Sequence, residues 1–292
     1  MEVSSGRQIF LVNCDLVLPP GCLDSLSKTL SSDNTIGVVS ATLLYPQTGD
    51  VQHNGMAFTR STHIFLHQHA HSSELPEAPA DRQALAFALC AFTRAAVEEV
   101  GLLDEEYFNG YEDLDYSFRL RAAGYRVVVD RTIAYHWERQ SGVLRSVMRR
   151  ENIARLWMHW GSTIDADLFS YARAAWLRLL DRDKTLRGER LTLVNLSRGS
   201  AAQELIDTLA SSGGAIVADV WHLPQRAHDD YSLWLPLLLP VDAARHPRPF
   251  VYVVDQVPQV AENRYWFDLR QRVAPAEVIV DHNANVRVTV AN

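Results

Sequence analysis

The 292-residue chain has only three cysteines, Cys14, Cys22 and Cys90. No spacing repeats among them, which excludes a disulfide framework and a cysteine-based zinc signature and fits reduced thiols in a cytosolic setting. Long apolar runs are missing too: none reaches the roughly 18 residues of a membrane span. The greasiest stretch, YSLWLPLLLP at 231–240, is short and carries two prolines, so a buried or interfacial segment is expected. Positive charge is not in excess either. With 28 Lys and Arg against 35 Asp and Glu, the net charge is −7 and the pI near 5.9, whereas a nucleic-acid binder usually shows a basic stripe. No nucleic-acid partner is expected. Internal repeats and low-complexity tracts are absent, and the opening apolar run is too short for a signal peptide.

What remains is an ordinary globular composition, 47% hydrophobic and 22% charged, long enough for one large domain or two smaller ones. QIFLVN at 8–13 reads as a buried strand, apolar on both faces. PPGCLDSLSKTLSSD then reads as a helix, with prolines at its start and Leu23, Leu26 and Leu30 at helical spacing. TIGVVSATLLYP and ALAFALCAFTR are further strands, and the polar stretch 46–82 between them is expected to contain a short hairpin in GDVQHNGMAF. RAAVEEVG is a helix closed by Gly101, and YEDLDYSFRLRAAGY a second one ended by Gly124. RVVVDRTIAYHW is a bent strand or strand pair, followed by a long helix over 143–160. Arg145, Arg149, Arg150 and Arg155 give that helix a basic face, a solvated surface that also offers a peripheral contact to anionic lipid or diphosphate. A charged linker, DRDKTLRGER, places a domain boundary near 181–190. Beyond it a βαβ unit, another strand and a hairpin around 283–285 are expected. Strand and helix alternate, as in α/β folds.

Three clusters carry potential chemistry. Asn13-Cys14-Asp15 closes the first strand, where α/β ligand sites form, although a turn or helix-capping aspartate would look the same. Glu112, Asp113 and Asp115 open a helix, which its dipole alone would favour, but the aromatic-glycine loop YFNGY before them suits a ligand. His136 ends a strand beside Trp137, one of 11 histidines. A further group, His63, His67, His69 and His71, would suit a metallohydrolase, but a solvated polar loop explains the spacing better.

Taken in order, FLVNCDLVLPPGCLDSL, GVVSATLLYPQTGDVQHNGMAF, FTRAAVEEVGLLDEEYFNGYEDLDYSFRLRAAGYRV, YHWERQSG and RRENIARLWMHWG resemble the inverting family 2 glycosyltransferases of the GT-A fold. The likeness is strongest to the rhamnosyltransferase-like enzymes of bacterial surface polysaccharides. It spans residues 6–162, and the E-D-x-D helix followed by R-x-x-A-G-Y-R-V is its most specific part. The resemblance implies a Rossmann-like mixed sheet and sugar transfer from a UDP- or dTDP-linked donor to a glycan or lipid-linked acceptor, at the inner face of the membrane. By the same resemblance, Asp15 and His136 hold Mg²⁺ or Mn²⁺ beside the diphosphate. Asp113 is the general base. Asn13, Glu112 and Trp137 contact substrate. His53 matches a recurrent Q-H-x-G segment for which a structural role is expected.

Two departures stand out. The family's amino-terminal nucleotide-binding strands are missing before Gln8: the sequence is a fragment, or a partner chain supplies that half, or the start is misassigned. Phe87 also stands about where the family often has a small Gly-Ala pair near the acceptor. The expected organisation is therefore an incomplete GT-A domain over 1–180 and an α/β region of unassigned role over 190–292. The alternative to an active transferase is a GT-A-derived scaffold that binds glycan or a partner chain.

Overall fold

The computed structural model describes residues 5–58, 63–66, 72, 75, 79–137, 143–168, 170–171, 173–174, 177, 190–195, 201–211, 216–222, 250–254, 277–281 and 286–289. The chain divides into two compact units, Met1–Ala166 and Asp167–Asn292. The linker expected near 181–190 lies almost wholly outside the described residues.

The first unit is built on a mixed sheet with strand order β1-β8-β3-β9-β2. Its strands are β1 (Gln8–Val12), β8 (Leu89–Thr93), β3 (Ile36–Leu44), β9 (Arg126–His136) and β2 (Leu16–Val17). Strand β4 (Val51–His53) pairs with β3, and β7 (Ala80–Asp81) with β9. Strands β3 and β9 run parallel, while β8 is antiparallel to both β1 and β3. The helices are α1 (Cys22–Ser32), α2 (Arg94–Val100), α3 (Glu112–Ala122) and α4 (Val143–Trp160).

Side chains alternate along a strand, so a strand buried on both faces feeds two cores. In β3, Val38 joins Cys90, Phe92, Val127, Val129, Tyr116 and Leu120 on one face. Its neighbour Val39 joins Leu89, Ala91, Val128, Leu26 and Leu30 on the other. Helix α1 therefore covers one side, and α2 and α3 the other, giving three layers. A third cluster, with Met56, Phe58, Leu114, Phe118 and Leu156, holds α4 against α3.

Two expectations are corrected. Strand β1 is not buried on both faces: only Ile9 is buried and Val12 is exposed, because among the described residues β1 pairs with β8 alone, at the end of the sheet order. GDVQHNGMAF is not a hairpin. Its first half is β4, joined to β3 through a turn in which Tyr45 N–H donates to Asp50 O at 2.8 Å. Its second half, β5 (Met56–Phe58), pairs with β6 (His63–Phe65). Between them Gly55 sits at φ 94°, where a Cβ would fall 2.4 Å from the Arg82 side chain. The Arg82 stem fills that space, and its guanidinium donates to both oxygens of Asn54 at 2.8 Å.

In the second unit, β10 (Arg190–Asn195), α5 (Ala201–Ser211) and β11 (Ile216–His222) form the expected βαβ unit, with β10 and β11 parallel. Strands β12 (Phe250–Val254), β13 (Glu277–Asp281) and β14 (Val286–Thr289) complete the order β11-β10-β12-β13-β14. The last two pair antiparallel, as the sequence suggested. Residues 231–240 lie outside the described residues.

Candidate active site

Asp15 lies between β1 and β2, and β2 pairs with the end of β9 (Leu16 with His136). That pairing carries Asp15 to His136: Oδ1 of Asp15 and Nε2 of His136 are 3.3 Å apart, with the side chains 17% and 16% exposed. Trp137 N–H donates to the Asp15 carbonyl at 2.9 Å, and the Trp137 side chain stays exposed. Asn13 is also exposed, and its N–H donates to Ala88 O at 2.9 Å.

His136 has a partner that sequence reading missed. Gln52 lies 2.6 Å through its Oε1 from His136 Nδ1, and its Nε2 donates to the His136 carbonyl at 3.3 Å. Gln52 is buried, as are its neighbours His53 and Asn54, although they look like solvated polar letters. His53 Nε2 accepts the N–H of Ala86 at 3.1 Å and of Gly55 at 3.3 Å. Burial first, then the charge of Arg82, pushes His53 down to about 3, so it stays neutral.

Asp113 occupies the first turn of α3 and keeps part of its surface exposed. Burial of its carboxyl, with Glu112 next to it as the second cause, pushes it up to about 7. The opposing effects are smaller and come from backbone N–H groups, including those of Leu114, at 2.9 Å from Oδ1, and of Phe87. No cation is among these causes. Glu112 faces another way and accepts Gly110 N–H at 2.7 Å, bracing the loop before the helix. That loop holds Asn109 at φ 53° and Tyr111 at φ 78°, a left-handed conformation costing a non-glycine residue about 1–2 kcal/mol. Asn152 of α4, another residue missed in the sequence, holds it there by donating to the carbonyls of Phe108 (3.0 Å) and Gly110 (2.8 Å).

Three consecutive residues tie these parts together. Ala86 N–H reaches His53, Phe87 N–H reaches Asp113, and Ala88 O accepts from Asn13. The structure thus links Asn13, Asp15, His136 and Trp137 through main chain and Gln52–His53 to Asp113. Glu112 is adjacent to Asp113 but is bonded within its own loop.

A divalent cation fits the Asp15–His136 pair. Ligands at about 2.1 Å in adjacent octahedral positions lie about 3.0 Å apart, close to the 3.3 Å found. Gln52 occupies Nδ1, so Nε2 is the nitrogen that faces the carboxylate. At this distance Nε2 either donates a proton to the Asp15 carboxylate or shares a cation with it. Among the described residues no third His, Cys, Asp or Glu completes a metal cluster.

A mixed sheet between helices, with this acidic site at strand ends, is the architecture of a GT-A-like glycosyltransferase domain. Residues 8–152 match the family model described as glycosyl transferase family group 2. These residues are a glycosyltransferase family 2 domain, and the protein that carries it is a glycosyltransferase. No curated protein matches the chain. No helix among the described residues is long and apolar enough to cross a membrane.

Proposed function

We propose that the domain is a metal-dependent, inverting transferase acting on a nucleotide-sugar donor, with Asp113 as general base and Asp15 and His136 as metal ligands. The observation that carries this reading is the contrast between the two ends of the linked site. At one end a carboxylate and an imidazole nitrogen converge to 3.3 Å. At the other, a carboxyl with no cation beside it among the described residues is held at about 7, close to the pH at which a base works best.

In the reaction, an acceptor hydroxyl attacks the anomeric carbon from the face opposite the diphosphate. Asp113 takes the hydroxyl proton as the new C–O bond forms, and the C–O bond to the nucleoside diphosphate breaks, inverting the centre. Asp15 and His136 would hold Mg²⁺ or Mn²⁺, which would supply positive charge for the leaving diphosphate. Glu112 keeps the YFNGY loop in place for the acceptor, and the exposed faces of Trp137 and Asn13 offer contacts to donor or acceptor.

The sequence resemblance supports a rhamnosyltransferase-like enzyme of surface polysaccharide assembly, with a UDP- or dTDP-linked donor and a glycan or lipid-linked acceptor. It also supports work at the inner membrane face, and the transferase domain is taken to span residues 1–180, with 190–292 an α/β region of unassigned role. Calorimetric titration of UDP and dTDP into the full chain, with and without Mn²⁺, tests the donor end. Metal-dependent binding that is lost in Asp15→Ala and weakened in His136→Ala is expected. Nucleotide binding indifferent to Mn²⁺ and to both substitutions would overturn the metal assignment.

A further inference from the structure

We propose that Gln52 is a positioning residue that fixes the ring tautomer of His136 and aims its Nε2 at the cation beside Asp15. The proposal deepens the reading above and rests on Asp15 and His136 being metal ligands.

The amide orientation of Gln52 is set by its second bond. The His136 carbonyl can only accept, so the group facing it at 3.3 Å is the Gln52 NH₂. The Gln52 oxygen is then what meets Nδ1 at 2.6 Å, and an amide oxygen can only accept. Nδ1 therefore carries the ring proton. In water a neutral imidazole favours the proton on Nε2, which would close the nitrogen that faces Asp15. Gln52 reverses that preference and leaves Nε2 as the ligating atom.

The backbone holds the clamp in place. Strand β4 pairs with β3 (Leu43 with His53, Leu44 with Val51), and β3 pairs with the carboxyl-terminal part of β9 (Leu44 with Tyr135). Gln52 thus reaches His136 from a strand in the same sheet and is only 6% exposed. Being bonded to both the ring and the carbonyl of one residue, it restrains ring rotation as well as tautomer. A glutamine filling space in a core would have no need of a ring nitrogen.

Gln52→Leu removes both bonds at similar volume, and Gln52→Asn withdraws the amide by one methylene should the leucine variant fold poorly. Two readouts on the full chain are needed. Imidazole ¹⁵N spectra, with His136 assigned by its absence in His136→Asn, should show Nδ1 protonated in the parent and a shift towards the Nε2–H form in the Gln52 variants. Mn²⁺ titration should show affinity lowered about 10- to 100-fold, the usual cost of losing an outer partner of a ligating histidine. Gln52→Glu, which keeps an acceptor at Nδ1, should restore most of that affinity. An unchanged tautomer with unchanged Mn²⁺ affinity in Gln52→Leu or Gln52→Asn would overturn the proposal while leaving the metal site standing. Mn²⁺ affinity indifferent to His136→Ala and Asp15→Ala would instead remove the metal reading and the proposal with it, even if the tautomer shifts.

Discussion

Asp113 and Asp115 stand two residues apart in the first turn of α3, and their surroundings differ in kind. Asp115 is the more deeply buried, at 3% exposure, yet its charge is answered: Arg119 Nε lies 2.8 Å from one oxygen and Trp160 Nε1 donates to the other at 2.8 Å. A cleft of about 630 Å³ lies beside it, lined by Asp115, Arg119, Trp160 and Met158 among others, but every oxygen of that carboxylate already has a partner. Among the described residues, Asp113 is met by backbone N–H groups and a neighbouring carboxylate. Depth of burial therefore does not separate Asp115 from Asp113, the residue proposed as base. The presence of a cation does: a neutralised carboxylate holds a fold together, and one left without a counter-charge retains affinity for a proton.

The comparison breaks first at turnover. Asp113→Asn should lower sugar transfer about 10³-fold, within the range usual for a general base, with donor binding nearly unchanged by calorimetry; undiminished turnover would remove the assignment. Asp115→Ala should act on stability instead. It takes the carboxylate from Arg119, which keeps the carbonyls of Val100 and Leu102, and leaves the Trp160 N–H without its acceptor. Denaturant unfolding should report a loss of about 3 kcal/mol, the low end for a buried pair that loses one member.

The same contrast predicts opposite signs for the two sites. Between an ordinary carboxylate value and about 7 the folded state keeps a proton on Asp113 that the unfolded chain releases. Stability therefore falls as pH rises through that window. Asp113→Asn should be the more stable protein at pH 8, by about 2 kcal/mol after allowing for the part of the residue in water, and equal to the parent near pH 4. Parallel pH–stability curves would count against the buried carboxyl. The smallest effect sharpens the base assignment: kcat/KM should fall about tenfold per pH unit below roughly 7 and level off above it, whereas a flat profile would contradict it.

How far these features were legible in the sequence follows from the distance between partners. Helices α1 to α3, strands β3 and β8 and the βαβ unit were readable because their signals are local, such as leucines at helical spacing, Gly101 and Gly124. Asp15, Asp113 and His136 were singled out as candidates through motif order, and the structure places Asp15 beside His136. Gln52 was not, since its partner His136 is 84 residues away and VQHNG alone pointed only to a hairpin and a structural His53. Asn152 escaped notice for the same reason, its acceptors Phe108 and Gly110 lying 44 and 42 residues upstream. The wrongly expected hairpin shares this origin, because Arg82 rather than any nearby residue fills the space at Gly55. Buried polar groups are placed by partners, and distant partners leave no periodicity behind.

The run from Ala86 to Ala88 serves the site with main-chain atoms: two N–H groups and one carbonyl. Exchanging one side chain for another cannot delete those groups, so the link between the two ends of the site is shielded from most point mutations. Proline is the exception. At position 86 or 87 it would erase an N–H outright, cutting the wire without altering any residue that does chemistry.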